Sequence, residues 1–94
     1  METRRTVRIS INGLVQGVAF RAWLRATAQE LGVTGWVRNR RDGTVEAVLQ
    51  GPPEEVTDVL RRCEWGPPAA CVESVESLAI EDDVYESFEV RPSA

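Results

Sequence analysis

The sequence predicts an α+β domain in which two helices cover one face of an antiparallel sheet of four to five strands. Apolar residues alternate in some segments and recur at helical spacing in others, in the order β-α-β-β-α-β. Glycine and proline clusters separate these segments, and 94 residues suit one core. We therefore expect residues 1–94 to form a single domain.

The first strand and helix are predicted from a change in apolar spacing. Residues 6–12 alternate between polar and apolar side chains, as in a half-buried strand. The segment GLVQG at 13–17 interrupts this pattern, and Gly32 ends the helix that follows. The apolar positions of that helix are Phe20, Leu24, Ala28 and Leu31.

The middle of the chain predicts a hairpin and a second helix. Strands are expected at 33–39 and 44–50, joined by a turn that ends in Asp-Gly. The second of these strands is rich in apolar residues, which favours a central position. Pro53 suits a helix start, with acidic residues in the first turn. Its apolar stripe is Val56, Val59, Leu60 and Cys63.

A fourth strand is expected near 72–80 and a short closing strand near 85–90. Two split β-α-β units of this length give the ferredoxin-like sandwich. Because this arrangement serves enzymes, RNA binders and regulatory domains alike, it assigns no function.

The composition excludes several kinds of chemistry. The chain has no histidine, and all 11 cationic side chains are arginine. Catalysis by Ser–His or Cys–His pairs, Schiff-base chemistry and Walker-type phosphate binding are therefore excluded. No apolar run can span a membrane and no secretory signal is visible, so we expect a cytoplasmic protein.

Charge is distributed unevenly along the chain. Residues 1–41 hold eight arginines and two acids, a balance of +6, whereas residues 42–94 hold three arginines and thirteen acids, a balance of −10. The net charge of −4 argues against general nucleic-acid binding and permits a local anion site.

The segment GLVQGVAFR at 13–21 is the first candidate for such a site. A strand leads through a glycine-containing loop into a helix N-terminus, where free amides and the helix dipole attract anions. Arg21 falls in the first turn, where a cation is disfavoured unless an anion binds. Alternatively, the glycines only shape a turn and Arg21 points into solvent.

The second candidate is GWVRNRRDGTVEAVLQGP at 35–52. Asn39 ends a strand immediately before the hairpin turn, where asparagine commonly caps turns. Its side chain therefore has either a structural or a functional role. Trp36 is interpreted as a packing residue.

Together these two motifs resemble those of the acylphosphatase family, and the resemblance covers nearly the whole chain. Weaker similarities are GPPAA before the fourth strand and F-x-V-R at 88–91, typical of bacterial-type members. The resemblance implies a ferredoxin-like enzyme that hydrolyses small acyl phosphates to carboxylate and inorganic phosphate, with no metal and no cofactor.

The resemblance also implies roles for individual residues. Arg21 matches the catalytic, phosphate-binding arginine, and Asn39 matches the asparagine that orients the attacking water. The expected phosphate-binding loop comprises Gln16, Gly17, Val18, Ala19, Phe20 and Arg21. The expected partners are a small acyl phosphate, with phosphate or sulfate as product or mimic. We expect no nucleic acid, no membrane and a monomer.

These residues suit an acyl phosphate because its carboxylate leaving group needs no strong general acid. Catalysis then consists of positioning and electrostatic stabilisation of the phosphoryl oxygens. In the absence of histidine and lysine, a substrate phosphate oxygen is the expected acceptor of the water proton. Activity should then change little between about pH 5 and 8.

Two other functions remain open at this point. One is a non-catalytic module that binds a small anion or a protein. The other is a single-stranded RNA binder, which the lack of aromatic residues on the two central strands disfavours. Cys63 and Cys71 are expected to be reduced thiols, although a disulfide between them is conceivable.

Overall fold

The structure is a computed structural model that describes residues 3–94. Five strands and two helices follow one another, with bounds close to the predicted ones. They are β1 Arg5–Leu14, α1 Phe20–Glu30, β2 Thr34–Asn39, β3 Val45–Gly51, α2 Pro53–Cys63, β4 Cys71–Ala79 and β5 Phe88–Val90. The predicted ferredoxin-like α+β class is confirmed.

The sheet has the strand order β4-β1-β3-β2-β5, so β3 occupies the central position predicted for it. The strands β1 and β2 both run antiparallel to β3, and β1 also runs antiparallel to β4. Helix α1 connects β1 to β2, and α2 connects β3 to β4. Each helix therefore lies in a connection between two parallel strands that are separated by a third.

The fifth strand departs from the predicted antiparallel pairing. It runs parallel to β2, with Phe88 opposite Gly35 and Val90 opposite Val37, so the sheet is mixed. The physical reason lies in residues 80–87, which cross the sheet at the end where β4 stops. Gln50 binds this segment there, donating to Asp83 O at 2.9 Å and accepting from Tyr85 N at 2.8 Å. Because β2 begins at this same end, β5 leaves in the same direction as β2.

The hydrophobic core lies between the helices and one face of the sheet. Alternate residues of β1 and β3 point into it, and each helix contributes one apolar face. Its fully buried side chains include Val7, Ile9, Ile11, Phe20, Leu24, Val37, Val45, Leu49, Val56 and Val59. This packing fixes α1 against β2 and β5, which positions the start of α1 beside the end of β2.

The opposite face of the sheet is partly covered by polar groups. Trp36 is 7% exposed, and the guanidinium groups of Arg38 and Arg91 lie 4.9 and 4.7 Å from its ring centroid. Buried Glu46 binds Arg38 at 2.8 Å and Arg40 at 3.2 Å. Trp36 is thus a packing residue, as predicted. Arg38 and Arg40 are neutralised by Glu46 on the face of the sheet opposite α1.

Both cysteines are free thiols, in agreement with the prediction: Cys63 is buried and Cys71 is exposed. Burial raises the pKa of the Cys63 thiol to about 12, so this thiol is protonated at neutral pH. Within residues 3–94, neither helix has the length and apolar character needed to cross a bilayer.

Candidate active site

The loop between β1 and α1 has an unusual backbone. Gly17 (φ 74°) and Ala19 (φ 65°) both have left-handed conformations, separated by Val18. Glycine adopts this conformation freely, whereas for alanine it costs about 1–2 kcal/mol. Backbone that alternates in this way turns successive N–H groups toward one side, which is how proteins form anion-binding concavities. The strain at Ala19 was not anticipated from the sequence.

Helix α1 begins at this loop without a side-chain cap and without an acidic residue in its first turn. The first helical amide that donates to a carbonyl is that of Trp23, which binds Ala19 O at 3.0 Å. Within residues 3–94, the amides from Gly17 to Ala22 donate to no backbone carbonyl. The N-terminus of α1 therefore presents free donors and a positive dipole end.

Arg21 is partly buried in the first turn of α1. Among the residues that the structure describes, no carboxylate lies within ion-pair distance of its guanidinium. A cation at this end of a helix opposes the dipole, so Arg21 is in an unfavourable electrostatic position in the free protein. A bound anion removes this penalty.

Asn39 ends β2 and its backbone is held on two sides. It pairs with Val45 of β3, and its carbonyl accepts a hydrogen bond from Ala94 N at 3.0 Å. The side chain lies on the same side of β2 as Val37, toward α1, because the two residues are two apart. Its Oδ1 atom is buried and has no hydrogen-bond donor among residues 3–94.

An unpartnered buried carbonyl oxygen costs about 1–3 kcal/mol, so such atoms are rare and need a reason. In this protein the unpartnered oxygen belongs to a residue that lines a cleft, and Arg21 lines the same cleft. This cleft has a volume of about 460 Å³. Its walls are formed by the β1–α1 loop, one face of α1, the end of β2 and Val90 of β5.

Most of the predicted site residues meet in this cleft. Its lining includes Gly17, Ala19, Phe20, Arg21 and Asn39. Phe20 contributes mainly backbone, because its side chain is buried in the core. The other two predicted loop residues, Gln16 and Val18, do not line it; Val18 packs against the core.

The Gln16 side chain has a role that the sequence did not reveal. Its Nε2 donates to Arg40 O at 2.8 Å and to Thr44 O at 2.9 Å, so it joins the β1–α1 loop to the β2–β3 hairpin. Asp42 shapes the same hairpin by accepting from Thr44 N at 3.0 Å and Thr44 Oγ1 at 2.6 Å. These hydrogen bonds hold the pKa of Asp42 below its usual value.

Sequence reasoning also missed Arg25, which lines the cleft one helical turn beyond Arg21. The signal was available, because residues four apart on a helix share a face. Within residues 3–94, no group of three or more histidine, cysteine, aspartate or glutamate side chains is placed to hold a metal ion.

Comparison with known proteins identifies the family of this chain. The family model described as acylphosphatase matches residues 7–90. An acylphosphatase of Rhodopseudomonas palustris is 52% identical over 77 residues, which are 82% of this chain and 78% of the relative. An acylphosphatase of Synechococcus sp. (strain JA-2-3B'a(2-13)) is 46% identical over 93 residues, 99% of each chain.

A solved structure of an acylphosphatase from Coxiella burnetii superimposes with a TM-score of 0.91 at 36% identity. The match covers 94% of this chain and 93% of the other. Sequence and fold therefore lead to one assignment. The chain belongs to the acylphosphatase family and is a hydrolase of the acid-anhydride bond in small acyl phosphates.

Proposed function

We propose that this chain hydrolyses acyl phosphates without a metal ion, with Arg21 holding the phosphoryl group and Asn39 orienting the attacking water. The observation that carries the proposal is the buried, unpartnered Oδ1 of Asn39 in the cleft that Arg21 also lines. A carbonyl oxygen is a hydrogen-bond acceptor only, so its natural partner there is the O–H of a water.

The phosphoryl group is placed at the start of α1. The free amides of the loop and first turn donate to its oxygens, and the Arg21 guanidinium adds a second, charged donor set. The amides are preorganised, because Gly17 and Ala19 already have the left-handed conformation typical of anion-binding loops. Such fixed donors stabilise the charge that develops on phosphoryl oxygens in the transition state.

Water attack then proceeds opposite the leaving group. Asn39 Oδ1 accepts one O–H of the water, which directs an oxygen lone pair toward phosphorus. The new bond forms between the water oxygen and phosphorus as the bond from phosphorus to the acyl oxygen breaks. The acyl oxygen takes the electron pair and leaves as carboxylate, and a phosphoryl oxygen accepts the water proton. The products are carboxylate and inorganic phosphate.

Two positioning contacts support this geometry. Gln16 fastens the loop to the hairpin, and Ala94 N binds the Asn39 carbonyl. The first contact links the loop to the hairpin that follows β2, and the second holds the end of β2 itself.

The test is hydrolysis of benzoyl phosphate in the presence of EDTA. Arg21→Gln should lower kcat/KM at least about 10³-fold, and Asn39→Ala at least about 10²-fold, which are the usual effects of removing a preorganised charged or orienting group. Circular dichroism and urea unfolding check that both variants fold.

Matched controls are Arg61→Gln on α2 and Asn12→Ala on β1, whose side chains do not line the cleft and bind Asp58 and Ser74. Both should retain activity within about threefold. If EDTA abolishes activity and added divalent cations restore it, the proposed metal independence is contradicted. Full activity in folded Asn39→Ala contradicts the role of Asn39.

A further inference from the structure

The cleft continues past the phosphate-binding end along one face of α1. Beyond Arg21 this face presents Ala22, Arg25, Ala26 and Gln29 to the cleft. The two alanines are small and leave room beside the helix, while Val90 of β5 forms an apolar surface. An acyl group attached to a phosphate at the start of α1 can extend only into solvent or along this face.

Arg25 is a second cation on this face without a partner. Within residues 3–94, no carboxylate lies within ion-pair distance of either Arg21 or Arg25. Two arginines at positions i and i+4 repel one another and destabilise an isolated helix by about 0.2–0.5 kcal/mol. By contrast, both arginines that end α2 lie within 4.0 Å of Asp58.

We propose that Arg25 forms a subsite for a second anionic group, so that the chain prefers acyl phosphates whose acyl part ends in a carboxylate. This inference rests on the proposed function, since it assumes that the phosphoryl group binds at Arg21. Residues four apart are separated by about 6 Å along a helix. An extended chain advances about 1.2 Å per bond, so five bonds from phosphorus to a distal carboxylate carbon span the same distance.

This length corresponds to the monophosphate of a four-carbon dicarboxylic acid. Gln29, one turn further, supplies an amide that can donate to the same carboxylate. Beyond it, a neighbouring depression of about 500 Å³ shares Arg25 and Gln29 and also contains Glu89. Glu89 pairs there with Arg91 at 3.9 Å, so Arg25 is the arginine of this depression that has no carboxylate of residues 3–94 within ion-pair distance.

The experiment compares succinyl phosphate with butanoyl phosphate, which has the same carbon chain without the carboxylate. The quantity measured is the ratio of the two kcat/KM values, after subtraction of each spontaneous reaction. We expect the wild-type ratio to exceed one. Arg25→Gln should lower this ratio about twofold to fivefold, the effect of an exposed ion pair of up to about 1 kcal/mol. Arg25→Lys should retain most of it.

Arg61→Gln serves as the matched control, because it removes the same charge from an exposed site on α2. If the ratio falls equally in this control, the effect is one of net charge and the proposed subsite is overturned. A wild-type ratio of one or less, or a ratio unchanged in Arg25→Gln, also overturns it and leaves the proposed function intact. If neither substrate is hydrolysed by folded wild type, the proposed function itself fails.

Discussion

The two helices have eleven residues each and lie on the same face of the sheet, yet their charges are arranged in opposite ways. Helix α2 begins with proline and two glutamates and ends with Arg61 and Arg62, an arrangement that complements the helix dipole. Helix α1 has Arg21 in its first turn and ends at Glu30. Its charges oppose the dipole at both ends.

The difference identifies the start of α1 as the less favourable helix end in the free protein. The proline, glutamates and arginines of α2 complement its own dipole, and no ligand is needed to explain them. In α1, an alanine in left-handed conformation precedes the helix, its first amides are free, and its arginine is unpartnered. These features become favourable together when an anion binds at that end.

The comparison predicts different consequences for core substitutions in the two helices, and these are the largest effects on stability. Leu24→Ala in α1 should lower the free energy of unfolding by about 3 kcal/mol, and Val59→Ala in α2 by about 2 kcal/mol, since both side chains are fully buried. Urea unfolding measures both values.

Only the α1 variant should also lower the kcat of the folded protein, because α1 carries Arg21 and the amides proposed to bind phosphate. Activity measured in the absence of denaturant, and corrected for the folded fraction, separates the two effects. Equal loss of kcat in Val59→Ala would show that the site depends on the whole core rather than on α1.

A smaller effect tests the strain at the start of α1. Ala19→Gly should raise the free energy of unfolding by up to about 1 kcal/mol, because glycine accepts the left-handed backbone that alanine resists. The matched control, Ala22→Gly within the same helix, should lower it by about 1 kcal/mol. Destabilisation of similar size in both variants would contradict strain at Ala19.

Much of the fold could be predicted because local patterns and long-range packing agree. Alternation in β1, the Asp-Gly turn and the proline at the start of α2 each specify an element without reference to the rest of the chain. The parallel pairing of β5 could not be predicted in this way. It depends on where residues 80–87 cross the sheet, and the contacts of Gln50 that hold them there are between residues more than 30 positions apart.

The site likewise contains residues that the sequence identified and residues that it did not. Gly17, Arg21 and Asn39 were identified because their motifs are continuous in sequence, and the structure brings them to one cleft. The Gln16 side chain was missed because its acceptors are backbone carbonyls of a hairpin, which any residue type provides. Strain at Ala19 was missed because alanine carries no sequence signal for positive φ.

We infer that Arg21 lowers the stability of the free protein and raises that of the anion-bound protein. The most direct test is urea unfolding of wild type and Arg21→Gln, with and without inorganic phosphate at constant ionic strength. Without phosphate, Arg21→Gln should be as stable as wild type or more stable by about 0.3–1 kcal/mol.

With phosphate at ten times its Kd, wild type should gain about 1.4 kcal/mol and Arg21→Gln much less. An Arg21→Gln protein that is less stable than wild type without phosphate, or that gains as much from phosphate, would contradict the account.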